Sequence, residues 1–374
     1  MTISADVVVL GGGLVGLACA RALARAGVSV ALLERGSPGA GASSAAAGML
    51  APLGDAPGPL GPIARAARDD WELWRRAIEE ESGRKIEAGA DGALVVALDD
   101  DDQRGLQEIA AQAAEIGEKV EDASLAEIRR RVPDLSPAVH RVLHLPGERR
   151  VDNVAAVAAL TIAAQHAGVR LEVGFDVTKI ELPANRIRVH ARDGRIATAG
   201  HLVLAAGASS SLPSSSSSSG LLLPPISPVR GQMLRLTGVR WAWDGIVRRP
   251  SLYSVRRGES DLLIGATVEP NAGFAVETTV GGLATLLDWT RRTFPTLGDR
   301  VVTASWAGLR PATADGLPLV GPLPGDPRVI AATGHYRNGV LLAPWTADVV
   351  AETVLHGCLP ERARALDPAR FAGP

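Results

Sequence analysis

The hydrophobic pattern opens on a short apolar run, residues 5–10, of the kind buried on both faces of a parallel sheet. Gly11, Gly12 and Gly13 break it. Leu14 to Ala26 then reads as a helix stopped by Gly27, and Val28 to Leu33 as a second buried strand ending at Glu34. Strand, helix and strand form a complete β-α-β unit within about 30 residues. Residues 36–61, rich in Gly, Ala, Ser and Pro, read mostly as loop. Helices follow at Ile63 to Glu80 and from the acidic run Asp99 to Asp102 to about Ile116, with a strand at Ala93 to Leu98 between them. The acidic run reads as a solvated helix start, and Ser124 with Glu127 has the form of a capping box.

Val154 to Ala167 reads as a helix. Arg170 to Val173, Val177 to Glu181, Ile187 to Ala191 and His201 to Ala206 read as strands, the last ended by Gly207. The stretch Ser209 to Gly220 holds six consecutive serines at 214–219 and reads as a mobile surface loop. Beyond it lie β-type patterns at 231–236, 245–249, 252–256 and 261–267, a helix at Val280 to Phe294, a strand at Val329 to Thr333 ended by Gly334, and a long helix from Gly339 to His356. The outline is interleaved: nucleotide-fold pieces at 1–85, 148–220 and 307–374, and β-rich insertions at 86–147 and 221–306 that form a second domain.

Composition narrows the function. Net charge is −2 with no basic stripe, which argues against nucleic acid as a partner. Cys19 and Cys358, the two cysteines, make neither a disulfide framework nor a metal-ligand spacing, so no metal is expected and a reducing cytoplasm fits. The N-terminal apolar run has no basic region before it and is interrupted by glycines, unlike an export signal. No uncharged apolar run reaches the roughly 18 residues of a membrane span.

Gly11, Gly13 and Gly16 form G-x-G-x-x-G between a strand and a helix. Gly11 permits the tight turn, Gly13 the approach of a pyrophosphate, and Gly16 close helix–strand packing. The start of the helix, Leu14 and Val15, presents free N–H groups to phosphate. Glu34, followed by Arg35, ends the second strand, placed to accept a hydrogen bond from a ribose 2′-OH. This unit does not separate NAD from FAD. Three further features favour FAD. The small-residue segment Ala42-Ser43-Ser44-Ala45-Ala46-Ala47-Gly48-Met49 lets backbone pass a flat ring, although a flexible linker has the same composition. The strand ending at Gly207 brings another glycine turn to the same sheet edge. Gly334-His335-Tyr336-Arg337-Asn338-Gly339 precedes the last helix, whose start (Gly339, Val340, Leu341) would aim N–H groups at a flavin carbonyl.

These residues carry a resemblance. Gly11–Gly16, Ser43–Pro52, Val229-Arg230-Gly231-Gln232, Trp306–Pro311, Asp315-Gly316-Leu317-Pro318 and Gly334–Pro344 make the chain similar to the D-amino-acid-oxidase-like FAD oxidoreductases, and within them to the glycine-oxidising group of the thiamine pathway. The similarity spans nearly the whole chain. It implies an α/β fold with a Rossmann-like FAD-binding domain interleaved with an antiparallel β-sheet substrate domain. It implies noncovalent FAD, since no cysteine stands where attachment occurs in relatives, and Val177 contacting the adenine side through its backbone. It also implies a small amino acid as substrate, oxygen as acceptor, and a homo-oligomer, a tetramer in relatives.

In this chemistry the flavin does the hard step and the protein supplies geometry and a cation for the carboxylate, for which the arginine fork is suited. Arg310 is the first candidate, against the plain reading of a surface ion-paired arginine. Tyr253 is the second, where the resemblance implies a hydroxyl for the carboxylate, against a half-buried strand aromatic. Arg337 is the third, meeting either the substrate or the flavin pocket. His335 reads as a structural or flavin-contact residue rather than a base, and Met49 as packing near the ring. Ser209 and Ser210 replace the Trp-Ser usual after Ala208. Ser251 stands where a relative has histidine and Val268 where it has methionine. A dehydrogenase of the same fold passing electrons to a quinone or carrier, and a non-catalytic flavin-binding protein, are the competing readings.

Overall fold

The computed structural model describes residues 2–54, 56, 58–211, 223–250 and 252–372; the serine run 214–219 and Ser251 lie outside them. A six-stranded sheet is ordered Arg170–Val173, Val30–Glu34, Val7–Leu10, His201–Leu204, Asp326–Thr333, Leu319–Leu323. All pairs are parallel except the last, which is antiparallel. Strand alternation divides its side chains between two cores. Val7, Val9, Leu32, Val203 and Ile330 pack against the helices Leu14–Arg25, Leu60–Ser82, Asn153–His166 and Gly339–His356. Val8, Leu10, Ala31, Leu33, Leu202, Leu204 and Val329 face a smaller four-stranded sheet instead. Burial on both faces explains why these strands read as unbroken apolar runs.

The four-stranded sheet corrects the start of the chain. Thr2–Ser4 is a strand of its own, paired parallel with Ile196–Ala199, an element the alternation did not reveal because it is short and mixed in polarity. The first strand of the nucleotide unit is accordingly Val7–Leu10.

An eight-stranded sheet is ordered Val302–Ala312, Ser227–Leu236, Asp261–Gly265, Tyr253–Arg257, Ile246–Arg248, Ala93–Ala97, Arg141–Leu145, Glu121–Asp122. Both β-rich insertions contribute to it, along with the helices Asp100–Ile116, Leu125–Arg131 and Val280–Thr293. Its edge strand Val302–Ala312 pairs with Ser227–Leu236 along its whole length and crosses the expected division at 306/307.

Three local expectations change. Asp102 is buried, not solvated: it accepts from the Leu98 amide (2.9 Å) and pairs with Arg249 at 2.8 Å, so the acidic run ties a helix start to the sheet as well as capping it. Asp99 is the residue that caps, accepting from the Asp102 amide. Ser124 makes no side-chain cap bond. After Gly207 the chain forms a short 3-10 turn, Gly207–Ser211, held by a Ser210–Thr333 hydroxyl bond of 3.0 Å. Among the described residues no helix is long and apolar enough to cross a membrane.

Candidate active site

The glycine turn joins the strand Val7–Leu10 to the helix Leu14–Arg25. Gly11 has φ +110°, and a Cβ there would lie 2.5 Å from the Ala205 carbonyl oxygen, so the turn fits only because this position has no side chain. A Cβ on Gly16 would lie 2.0 Å from the Gly11 oxygen, which is how closely the helix sits on the turn. Glu34 is clamped by backbone donors: Oε2 accepts from Gly12 N and Oε1 from Gly36 N, both at 2.7 Å. Ser43 Oγ accepts from Leu14 N at 2.9 Å, placing a hydroxyl in the first turn of the helix. Asn153 Nδ2 donates to the Ser43 carbonyl at 2.7 Å and fixes that segment to a second helix.

From this turn a cavity of about 1270 Å³ runs between the two large sheets. Of the expected site residues, Gly11, Gly13, Leu14, Val15, Glu34, Arg35, Ala42, Ser43, Val177, Gly207, His335, Arg337, Gly339 and Val340 line it. The others stand behind the wall. Gly16 packs the turn, and Ser44 lies beside Gly39. The Ala47 carbonyl accepts from Arg257, and Gly48 abuts the Val151 carbonyl. Met49 pairs in a short strand with Arg150. Asn338 is buried with its amide on the His335 carbonyl. Leu341 belongs to the helical core, its carbonyl held by Trp71 Nε1.

Arg310 and Tyr253 reach the same face of the eight-stranded sheet. In register, Trp306, Met233, Gly265 and Tyr253 form one row, Gly308 and Gly231 the next on that face, and Arg310 and Val229 the one after. Glycines floor this face. The Arg310 guanidinium lies directly over Gly231, where a Cβ would meet it at 2.3 Å, and the Tyr253 ring lies over Gly265. Arg310 Nη1 donates to the Thr267 carbonyl at 3.0 Å, which aims the fork. Leu309 and Pro311, on either side of Arg310, line the cavity; Tyr253 packs deeper, its hydroxyl 3.9 Å from Met233 Sδ, in one apolar cluster with Met49 and Trp306. Val268 is half exposed in the loop that follows.

His335 is buried, with Nε2 3.0 Å from Thr346 Oγ1. Burial pushes its pKa down to about 4, so the ring is neutral at ordinary pH. Below pH 6.5 the unfolded chain takes up a proton that the folded ring resists until about pH 4. Stability therefore falls across this window as pH drops, by roughly 3 kcal/mol. We expect His335→Gln to flatten that part of the profile of thermal midpoint against pH between 7 and 4; an unchanged slope would refute it.

Several residues of the site were not foreseen as such. Tyr336 lines the cavity, as do Phe274, Val276 and Thr278 from the loop after the strand Asp261–Gly265. Trp306 Nε1 donates to the Ala45 carbonyl at 3.0 Å. Arg257 Nη2 donates to both the Ala47 carbonyl and Asn153 Oδ1 at 3.0 Å, while Nη1 pairs with Asp152 at 2.6 Å. These bonds fasten the small-residue segment to the eight-stranded sheet. Their partners lie far away in sequence, so no local pattern marks them.

A glycine turn without room for side chains, a clamped acid at the second strand, and a long cleft meeting a helix start suit an extended dinucleotide. The volume exceeds the roughly 300–1,000 Å³ of an ordinary small-ligand pocket. Comparison with known proteins agrees. Residues 6–353 match the model of the DAO family, FAD dependent oxidoreductase. A glycine oxidase of Bacillus licheniformis is 31% identical, over 94% of this chain and 93% of its own. A bifunctional protein ThiO/ThiG of a Nostoc species is 32% identical over 94% of this chain, which spans about half (52%) of that relative. The crystal structure of glycine oxidase from Geobacillus kaustophilus superposes with a TM-score of 0.91 at 30% identity, covering 99% of this chain and all of that one. With the cleft, the turn and the fold in agreement, the chain belongs to the FAD dependent oxidoreductases of the DAO family.

Proposed function

We propose that this protein is a glycine oxidase acting for the thiazole of thiamine, with FAD held noncovalently in the cleft and the substrate seated between the Gly231–Gly265 floor and the cofactor. The observation that carries the reading is Arg310, a guanidinium folded over Gly231 and flanked in its strand by Leu309 and Pro311, which line the cavity. Relatives named glycine oxidase and ThiO/ThiG support it. Arg310 takes the carboxylate, with Arg337, which lines the cavity, and the Tyr253 hydroxyl as further donors. Gly11, Ser43 and the helix starting at Leu14 hold the pyrophosphate, and Glu34 holds the ribose. Bound FAD supplies the acceptor for the hydride that leaves Cα. Trp306 on the cavity wall, backed by the apolar cluster that holds Met233 and Met49, keeps water from the reacting carbon. His335, buried and neutral, takes no proton. Once glycine has shed its ammonium proton, loss of hydride leaves the imine. Water converts this to glyoxylate and ammonia, and oxygen leaves as hydrogen peroxide after accepting two electrons and two protons.

The test mixes the purified yellow protein with glycine, sarcosine and D-alanine, with and without oxygen. Bleaching and peroxide release, fastest with glycine, are expected. Bleaching without peroxide assigns a dehydrogenase, and no bleaching by any of the three refutes the substrate. The molar mass of the holoenzyme in solution tests the homo-oligomer.

A further inference from the structure

The segment from Ala42 to Gly48 runs along the cavity with no side chain longer than serine, and Ala42, Ser43 and Ala46 line it. A stretch of this composition is flexible by itself, so its place is set by the groups that grip its backbone. Trp306 holds the Ala45 carbonyl. Two further grips are joined to each other. Asn153, 1% exposed, donates from Nδ2 to the Ser43 carbonyl at 2.7 Å, and its Oδ1 accepts from Arg257 Nη2 at 3.0 Å. The same Nη2 donates to the Ala47 carbonyl at 3.0 Å. Arg257 Nη1 pairs with Asp152 at 2.6 Å, and Asp152 caps the helix Asn153–His166 through the amides of Val154 and Ala155, both at 2.9 Å. Gly48 closes on this centre: a Cβ there would lie 2.0 Å from the Val151 carbonyl oxygen and 3.0 Å from Asn153 Oδ1.

A side-chain amide has one accepting end and one donating end, whereas a guanidinium only donates. With Arg257 on one side, the oxygen of Asn153 has to face the cation and the nitrogen has to face Ser43. Arg257 thus decides which way Asn153 points. Its side chain is 12% exposed, so water competes little for these charge-assisted bonds. At the far end of the relay Ser43 Oγ accepts from Leu14 N at 2.9 Å, which leaves the hydroxyl proton for an acceptor in the cleft. Arg257 itself ends the strand Tyr253–Arg257 of the eight-stranded sheet, outside the nucleotide unit. We propose that Arg257 is a positioning residue for the cofactor: acting through Asn153 and the Ala47 carbonyl, it fixes Ser43 and its segment against the FAD pyrophosphate, so that FAD affinity depends on the substrate sheet. The proposal rests on the placing of Ser43 beside the pyrophosphate.

The experiment dilutes the holoenzyme and reads released FAD by its fluorescence, with thermal midpoints taken in excess FAD. Arg257→Met should weaken FAD binding about tenfold and Ser43→Ala about fivefold. The double variant should lose no more than about fifteenfold, against about fiftyfold for independent effects. Arg257→Lys should fall between the parent and Arg257→Met, because one ammonium cannot serve three acceptors in the geometry of the fork. Arg249→Met is the control. It breaks the buried pair with Asp102 in another part of the same sheet, and should lower the midpoint while FAD binding stays within about twofold. FAD binding unchanged in Arg257→Met, while Ser43→Ala weakens it, overturns the role of Arg257 alone. Unchanged binding in Ser43→Ala overturns the placing of Ser43 as well. Equal weakening by Arg249→Met assigns the effect to a loosened sheet, and a double variant at the product of the single effects removes the relay; either overturns the proposal. Should Arg257→Met not purify, Arg257→Lys carries the same comparisons, and parent-like FAD binding in it overturns the proposal.

Discussion

Replacing Arg310 by methionine is expected to lower kcat/KM for glycine by somewhat more than a hundredfold, equivalent to about 3 kcal/mol, while FAD is retained. Removing one partner of a desolvated, charge-assisted pair has this order of cost. The guanidinium is aimed by the Thr267 carbonyl and the Gly231 floor, so its orientation does not depend on a bound ligand. Arg310→Lys should recover only part of the loss, because a point charge cannot present the two parallel donors that match a carboxylate. Steady-state kinetics with glycine, and inhibition by acetate, check this. Retained affinity for acetate in Arg310→Met would remove Arg310 from the site.

Gly11→Ala is the second large effect. A methyl group there would meet Ala205 O at 2.5 Å, Ala205 C at 2.7 Å and Ala206 Cα at 2.8 Å, all backbone atoms at the end of the central strand, in a conformation with φ +110°. Neither side can yield without moving a sheet strand. The variant should lose at least about 3 kcal/mol of stability and purify without colour. Gly281→Ala is the control. It lies on the exposed side of the helix Val280–Thr293, where a Cβ meets nothing within 4 Å, and should stabilise by roughly 0.5–1 kcal/mol. Thermal midpoints and the flavin absorbance of the purified proteins decide; a yellow, stable Gly11→Ala would refute the close fit of the turn.

The nucleotide unit was legible because its determinants are local. Strand, glycine turn, helix, strand and acid fall within Val7 to Glu34, and the register Val7↔Val30 to Leu10↔Leu33 follows from the connection between them. The long helix Gly339–His356 was equally plain, since a glycine start and an apolar body carry their own signal. The Thr2–Ser4 strand was not legible, because three residues that alternate exposed and buried look like a tail until Ile196–Ala199 is beside them. Asp102 misled for a similar reason. Nothing near it in sequence announces Arg249, 147 residues away, which turns a helix-start acid into a buried ion pair.

The site divides along the same line. The candidate residues came from local motifs and resemblance: an arginine at 310 proposed for a carboxylate, an acid at Glu34, a histidine in the turn before the last helix. Their relation came from tertiary structure. Tyr253 and Arg310 share a face only because the strands Val302–Ala312, Ser227–Leu236, Asp261–Gly265 and Tyr253–Arg257 pair in one register. Arg257 reaches Ala47, 210 residues away, and the Tyr336 amide is held by the Pro311 carbonyl. The sequence by itself determined the β-α-β unit and the dinucleotide turn, because each is set by spacing within one element or two adjacent ones. The tertiary structure alone decided which side chains share the cleft and which stand behind its wall, because that depends on sheet register and on contacts between residues far apart in the chain.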